Sequence, residues 1–196
     1  MKPPSASRFL VALLAGALLV AAGAGCGKKD KVVGPGSNPL PSPLPDRSTP
    51  QNALSLYAYA WVHRDSTILD SLIDATYVGT SIDLSDPTPF TRSFTKSDEI
   101  HDLGGLEKAT DVTRVEVNLG PASSWVRTKY AGDPPDWVAL QVPAATIRVY
   151  TTVDTYVASG MDVEEWKFAP HTPAPTSPTD TVWTMIRWSE SKPALP

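Results

Sequence analysis

A single cysteine, Cys26, stands in 196 residues, so no disulfide can close within the chain and any fold must be held by its core. The three histidines, His63, His101 and His171, show no His-x-x-x-His or comparable spacing, and with one thiol a zinc site lacks its parts. The acidic residues follow no calcium-loop pattern with a central Gly and a terminal Glu. Phosphate loop, dinucleotide fingerprint and Gly-x-Ser-x-Gly are all missing, so no cofactor is expected. His63-Arg64-Asp65 spells the kinase catalytic-loop tripeptide, yet no Gly-rich loop, downstream Asn or Asp-Phe-Gly accompanies it. Basic residues are also short: 17 Lys and Arg against 21 Asp and Glu, a formal −4. That balance argues against a nucleic-acid partner, which needs clustered positive charge.

What is present begins with a leader. Lys2 and Arg8 form a short positive region, Phe9 to Ala22 is unbroken apolar or small sequence, and Gly23-Ala24-Gly25 supplies small residues before the thiol. That order marks a secretion signal. The apolar run is shorter than the roughly 20 residues a spanning helix needs. The small residues ending on Cys26 resemble the lipobox of bacterial lipoproteins. The resemblance implies removal of residues 1–25, a diacylglycerol on the Cys26 sulfur and acylation of the new amine. The expected partner is then the membrane, through lipidated Cys26. The expected location is the cell envelope, lipid-anchored and extracytoplasmic, on a periplasmic or outer-membrane face. Plain secretion after Ala22-Gly23-Ala24 is the alternative, with Cys26 a free thiol, but lipidation accounts for the odd cysteine more simply. Lys28, Lys29 and Lys31 follow at once and read either as a headgroup contact or as a solvated start to a tether.

From Gly34 to Pro50 the chain is GPGSNPLPSPLPDRSTP, with prolines at 35, 39, 41, 43, 45 and 50. No hydrophobic period survives there, and repeated proline favours extended polyproline-type backbone. Residues 26–47 therefore read as lipidated cysteine plus spacer, 48–192 as one domain and 193–196 as a tail.

Thr49-Pro50 is an N-cap followed by proline at the first helical position. At 100° per residue, Ala53, Tyr57, Ala60, Trp61, Arg64 and Ile68 share one face, flanked by Leu54 and Leu72, which predicts an amphipathic helix with a break near Asp65-Ser66. Thr95 with Asp98 resembles a capping box opening a second helix, weakened by Gly104-Gly105. Strands are predicted over Thr76–Asp83, Thr113–Leu119, Trp137–Val142, Ala145–Val153, Thr155–Ala158, Val163–Phe168 and Thr181–Trp188. Pro143 marks a bulge or edge, 120–136 a long loop and Pro170–Asp180 an exposed hairpin loop. Helices first and antiparallel strands after indicate an α+β fold.

The segments TPQNALSLYAYAWVHRDSTILDSLID, TKSDEIHDLGGL, WKF at Trp166–Phe168 and WTMIRW at Trp183–Trp188 resemble, in order, the helices and last strands of nuclear-transport-factor-two-like (SnoaL-like) lipoproteins, across residues 48–190. The resemblance implies a cone: a curved antiparallel sheet wrapped around the N-terminal helix, with a pocket at its open end. Tyr57, Trp61, Arg64, Trp166 and Trp188 are the pocket candidates. The rings could bind a small apolar ligand and Arg64 an anionic one through paired hydrogen bonds, or the rings could simply fill the cone. The expected function is a non-catalytic ligand-binding or protein-interaction module. One alternative is an isomerase or dehydratase with His63 or an acidic residue as base and Arg64 as anion holder. Another is a structural envelope protein forming a homodimer through its sheet, because the last strand carries apolar residues on both faces.

Overall fold

The structure, a computed structural model, describes residues 44–83, 90–143, 145–158, 163–171 and 181–192. The leader, Cys26, the linker up to residue 43, most of the 170–180 loop and the tail lie outside the described residues. Among the described residues no helix is long and apolar enough to cross a membrane.

Helix α1 (Pro50–His63) starts as its sequence dictates. Thr49 is extended, its side chain accepts the Asn52 N–H at 3.1 Å, and Pro50 occupies the first turn, where its missing N–H costs nothing. It stops at Arg64, which adopts the left-handed conformation (φ 54) and turns its N–H back to the carbonyls of Ala60 and Trp61. Asp65 then accepts the N–H groups of Thr67 and Ile68 at 3.0 Å each and caps α2 (Ser66–Leu72). The predicted break is thus a C-cap followed directly by an N-cap. Ala53, Leu54, Leu56, Tyr57, Ala60 and Trp61 are buried, and no residue from 51 to 62 is fully exposed. The helix is enclosed rather than laid on a surface.

Strands β1 (Ile73–Asp83) and β2 (Phe90–Thr95) form a hairpin that leads into α3 (Lys96–Lys108). The capping box at Thr95 and Asp98 is complete: each side chain accepts the other's backbone N–H. Gly104-Gly105 does not interrupt α3, because Leu103 and Leu106 on either side are buried in the core. After it come β3 (Val112–Asn118), a one-turn 3-10 helix (Ala122–Ser124), β4 (Val126–Thr128), β5 (Val138–Pro143), β6 (Thr146–Thr151), β7 (Thr155–Ala158), β8 (Val163–His171) and β9 (Val182–Lys192).

Six strands make one sheet in the order β2-β1-β9-β8-β5-β4, and β3-β6-β7 make a second. The chain passes from one sheet to the other between β5 and β6, where Pro143 ends the first ladder and cannot donate to a new one. α1 packs against β3, β5 and β9, so the two sheets curve around it. The result is the mixed α+β architecture with a curved sheet that the sequence suggests.

Four local expectations change. The sheet is not wholly antiparallel: β1 and β9 run parallel, joining the first and last strands. The 120–136 segment is not all loop, since β4 pairs along the edge of β5. The alternation of Thr113, Val115, Val117 and Leu119 with Arg114, Glu116 and Asn118 predicts Thr113 on the buried face, but a bulge between Val112 and Arg114 turns it to solvent, where its hydroxyl reaches the Tyr150 carbonyl, and puts Val112 in the core instead. Strand β8 continues through Pro170 to His171. Opposite Pro170, the Trp183 N–H points away to the Arg47 carbonyl at 2.9 Å, so the proline leaves no ladder bond unmade. That contact, with Arg47 also donating to the Ser71 carbonyl, holds the last linker residues on the domain.

Candidate functional site

Strand periodicity assembles one end of the interior between the sheets. Tyr77, Gly79 and Ser81 alternate onto one face of β1. Across the sheet, Gly79 faces Trp188, Trp188 faces Trp166 and Trp166 faces Leu140. The next row is Ser81, Glu190, Glu164 and Val142. An aromatic row therefore lies beside a row holding two carboxylates directly opposite one another. Glu99, from the first turn of α3, and Tyr57, from α1, close the group.

Each carboxylate accepts a hydrogen bond from a protein donor. The Tyr77 hydroxyl donates to Glu99 at 2.9 Å, the Trp188 indole to Glu164 at 3.1 Å and the Ser81 hydroxyl to Glu190 at 2.5 Å. Gly79 makes the first of these possible. A Cβ there would lie 2.7 Å from the Tyr77 hydroxyl and 3.2 Å from the Trp188 ring, so the phenol crosses the strand only because the side chain is absent.

Neither Glu99 nor Glu164 is paired with a cation among the described residues. Burial pushes Glu99 up to about 7, helped by the nearby charges of Asp102, Asp98 and Glu190 and opposed by the Tyr77 hydrogen bond. Burial likewise pushes Glu164 up to about 7, with the facing Glu190 adding to it and the Trp188 bond opposing. The Tyr57 hydroxyl is held well above its usual range, first by burial and then by the charges of Glu99, Glu164 and Glu190.

Two further groups belong to it. The Trp61 and Trp166 indole N–H groups are buried without a hydrogen-bond partner among the described residues. A buried unpaired donor costs about 1–3 kcal/mol, so natural interiors rarely keep one without a use.

Of the residues singled out from sequence, Tyr57, Trp61, Trp166 and Trp188 come together. Tyr57 lies 6.2 Å from Trp61 and 6.3 Å from Trp166, ring to ring. Arg64 does not join them: its guanidinium donates to the carbonyls of Val112 at 3.0 Å and Leu106 at 3.3 Å, tying the end of α1 to the α3–β3 connection. His63 is exposed and stacked on Tyr59 at 4.0 Å. The pairing of His63 as base with Arg64 as anion holder is thus not assembled. His101 is exposed beside an open dent at the start of α3, and His171 is exposed at the end of β8.

Glu99, Glu164, Glu190 and Tyr77 were not singled out. A signal existed for two of them. Glu164 alternates with Trp166 and Phe168, and Glu99 precedes Leu103 by four residues, so each is a charged residue at a core position. The hydrogen bonds that allow this come from elements distant in sequence.

No family model matches the sequence, and no curated protein matches it. Solved structures do resemble its fold. One is a nuclear transport factor 2-like superfamily protein from Salmonella enterica, with 13% identity, 74% of this chain and 89% of that one covered, and a TM-score of 0.49. Another is a conserved protein from Planctomyces limnophilus, with 12% identity, 72% and 91% covered, and a TM-score of 0.49. A third is a nuclear-transport-factor-two-like protein of unknown function in nutrient uptake from Rhodospirillum rubrum, with 13% identity, 72% and 95% covered, and a TM-score of 0.47. Likeness at that level decides no chemistry.

Proposed function

We propose that the chain is an extracytoplasmic lipoprotein, anchored through lipidated Cys26, whose domain is a non-catalytic binding module for a small ligand at the glutamate–aromatic end of the cone. The observation that carries the binding reading is the indole N–H of Trp61, buried beside the Tyr57 ring with no hydrogen-bond partner among the described residues. An apolar interior with a few convergent polar groups is the usual form of a ligand site. A ligand acceptor there would satisfy a donor that the protein leaves open. The anchor reading rests on the leader and the small residues that end on Cys26.

Native mass spectrometry of the mature protein released from detergent tests the site. A discrete small-molecule adduct on the wild type that is lost in Trp61→Phe is the expected result. A bare mass for the wild type after gentle release from cells would end the binding reading. Equal fatty-acid labelling of wild type and Cys26→Ser would end the anchor reading.

One observation favours a second reading. Carboxyl groups poised at about 7 suit general acid–base catalysis at neutral pH, which fits an isomerase or dehydratase using Glu99 or Glu164 in place of His63. Conversion of the bound molecule, abolished in Glu164→Gln while the adduct persists, would decide for that reading.

A further inference from the structure

Between α1 and the end of β3 lies a hollow of about 260 Å³ lined by Pro45, Ala58, Tyr59, Val117, Leu119 and Trp125, among others, and no charged side chain faces it. Its aromatic walls are fixed from behind. The Trp125 indole donates to the Leu119 carbonyl at 2.7 Å. Gly120 takes a positive φ of 64, with its N–H on the Asn118 side chain at 2.9 Å, and this turn brings Trp125 back over the strand it follows. On the opposite wall Tyr59 is stacked on His63.

We propose that this hollow is the docking groove of the chain's own proline-rich segment, Pro39–Pro43. The described chain begins at Leu44, and Pro45 forms part of the groove wall, so Pro43 is tethered only two residues along the chain from it. Those residues read Pro-Leu-Pro-Ser-Pro, as free of charge as the groove itself. Proline-rich segments bind aromatic-lined grooves because their polyproline conformation is formed beforehand and little entropy is lost on docking. Five residues in that conformation span about 16 Å, enough to cross a groove of this size. Covalent attachment supplies the rest: a short linker gives an effective concentration of millimolar order, so an intrinsic affinity of only about 1 mM would keep the groove about half filled.

Docking subtracts Pro39–Pro43 from the spacer. If Cys26 carries the anchor proposed above, the remaining free length runs only from Cys26 to Asn38, and the α1–β3 side of the domain is turned toward the membrane. The docking itself is independent of lipidation and of the interior site.

The test uses the full mature chain in detergent micelles, labelled with 5-fluorotryptophan, in which Trp125→Phe identifies the Trp125 fluorine resonance. In a chain carrying Pro39→Gly, Pro41→Gly and Pro43→Gly, the Trp125 resonance should move while those of the other tryptophans stay, which also reports that the fold is intact. A synthetic peptide of residues 38–44 should then shift Trp125 in the substituted chain at millimolar concentration, and need about twofold more in the wild type, where the groove is half occupied. An unchanged Trp125 resonance in the substituted chain would overturn the proposal. So would a peptide that binds both chains equally, which would mean a groove open to a proline-rich segment of another protein.

Discussion

Glu164 and Glu165 are neighbours in β8, and the sheet gives them opposite surroundings. Glu164 faces inward beside Trp166, accepts only the Trp188 indole among the described residues and is pushed up to about 7 by burial. Glu165 faces outward and accepts the Tyr130 hydroxyl and the Gln141 amide, with the Lys167 ammonium 3.9 Å away. Lys167 also holds Asp133 at 2.7 Å and lies over the Tyr130 ring, while Arg187 lies over Trp137. The β4–β5 connection thus folds back over the outer face and supplies partners to its charges. Ala139 and Ile186 are buried there although they stand outside the main core cluster. On one covered face the charges of Lys167 and Arg187 meet partners, and on the other burial raises the proton affinity of Glu164. The side of the strand, not the residue type, decides which.

Three experiments sharpen that contrast, and the largest effect is expected from pH. A carboxyl raised in the folded state is stabilising while both states are protonated, below about 4.5, and loses that advantage as pH rises toward its folded value near 7. For Glu99 the full span corresponds to at most about 3 kcal/mol. Asp46, Asp74 and Asp98 are lowered by hydrogen bonds from Ser48, Thr76 and Thr95 respectively, so their contribution disappears in the opposite direction, on strong acidification. The melting temperature should therefore be higher at pH 5 than at pH 8, and Glu99→Gln should remove much of the difference by raising the pH 8 value. A wild-type melting temperature that is flat across this range would contradict the inner-face account.

Next in size is Gly79→Ala. Its methyl would meet the Tyr77 hydroxyl at 2.7 Å and force the phenol off Glu99, at a cost of about 1–3 kcal/mol. Adding Tyr77→Phe should recover part of the loss, since the clashing atom is then gone. Urea unfolding of the two single variants and the double variant measures it, and strict additivity would show that the two residues do not interact.

The smallest effect belongs to the outer face. Lys167→Ala breaks a partly exposed pair with Asp133 and should cost about 1 kcal/mol or less, shrinking in high salt. A loss as large as that from Gly79→Ala would mean that the outer layer is as much a core as the inner one.

Much of the frame was legible in the chain. Thr49-Pro50, Asp65 and Thr95 with Asp98 are local devices whose hydrogen bonds close within three residues, so composition and spacing suffice to read them. Alternation likewise located the strands, and the aromatic residues of α1, β8 and β9 were expected to meet and do. Arg64 shows where such reading stops. Its place on the apolar stripe suggested a ligand partner, but its carbonyl partners are 42 and 48 residues away and become neighbours only when α3 and β3 pack on α1.

The sequence by itself determined the caps, the strand periods, the uncharged proline-rich approach to the domain and the lack of a second cysteine for an internal disulfide, because each depends on residue type and short spacing. Only the tertiary structure decided that β1 joins β9 in parallel, that residues 129–137 lie against the outer sheet face, and that Glu164 stands opposite Glu190 while Glu99 meets Tyr77. Those outcomes depend on which distant strands become neighbours. The proton affinity of a carboxylate is set by that neighbourhood and by the water it excludes, neither of which is written in any single segment.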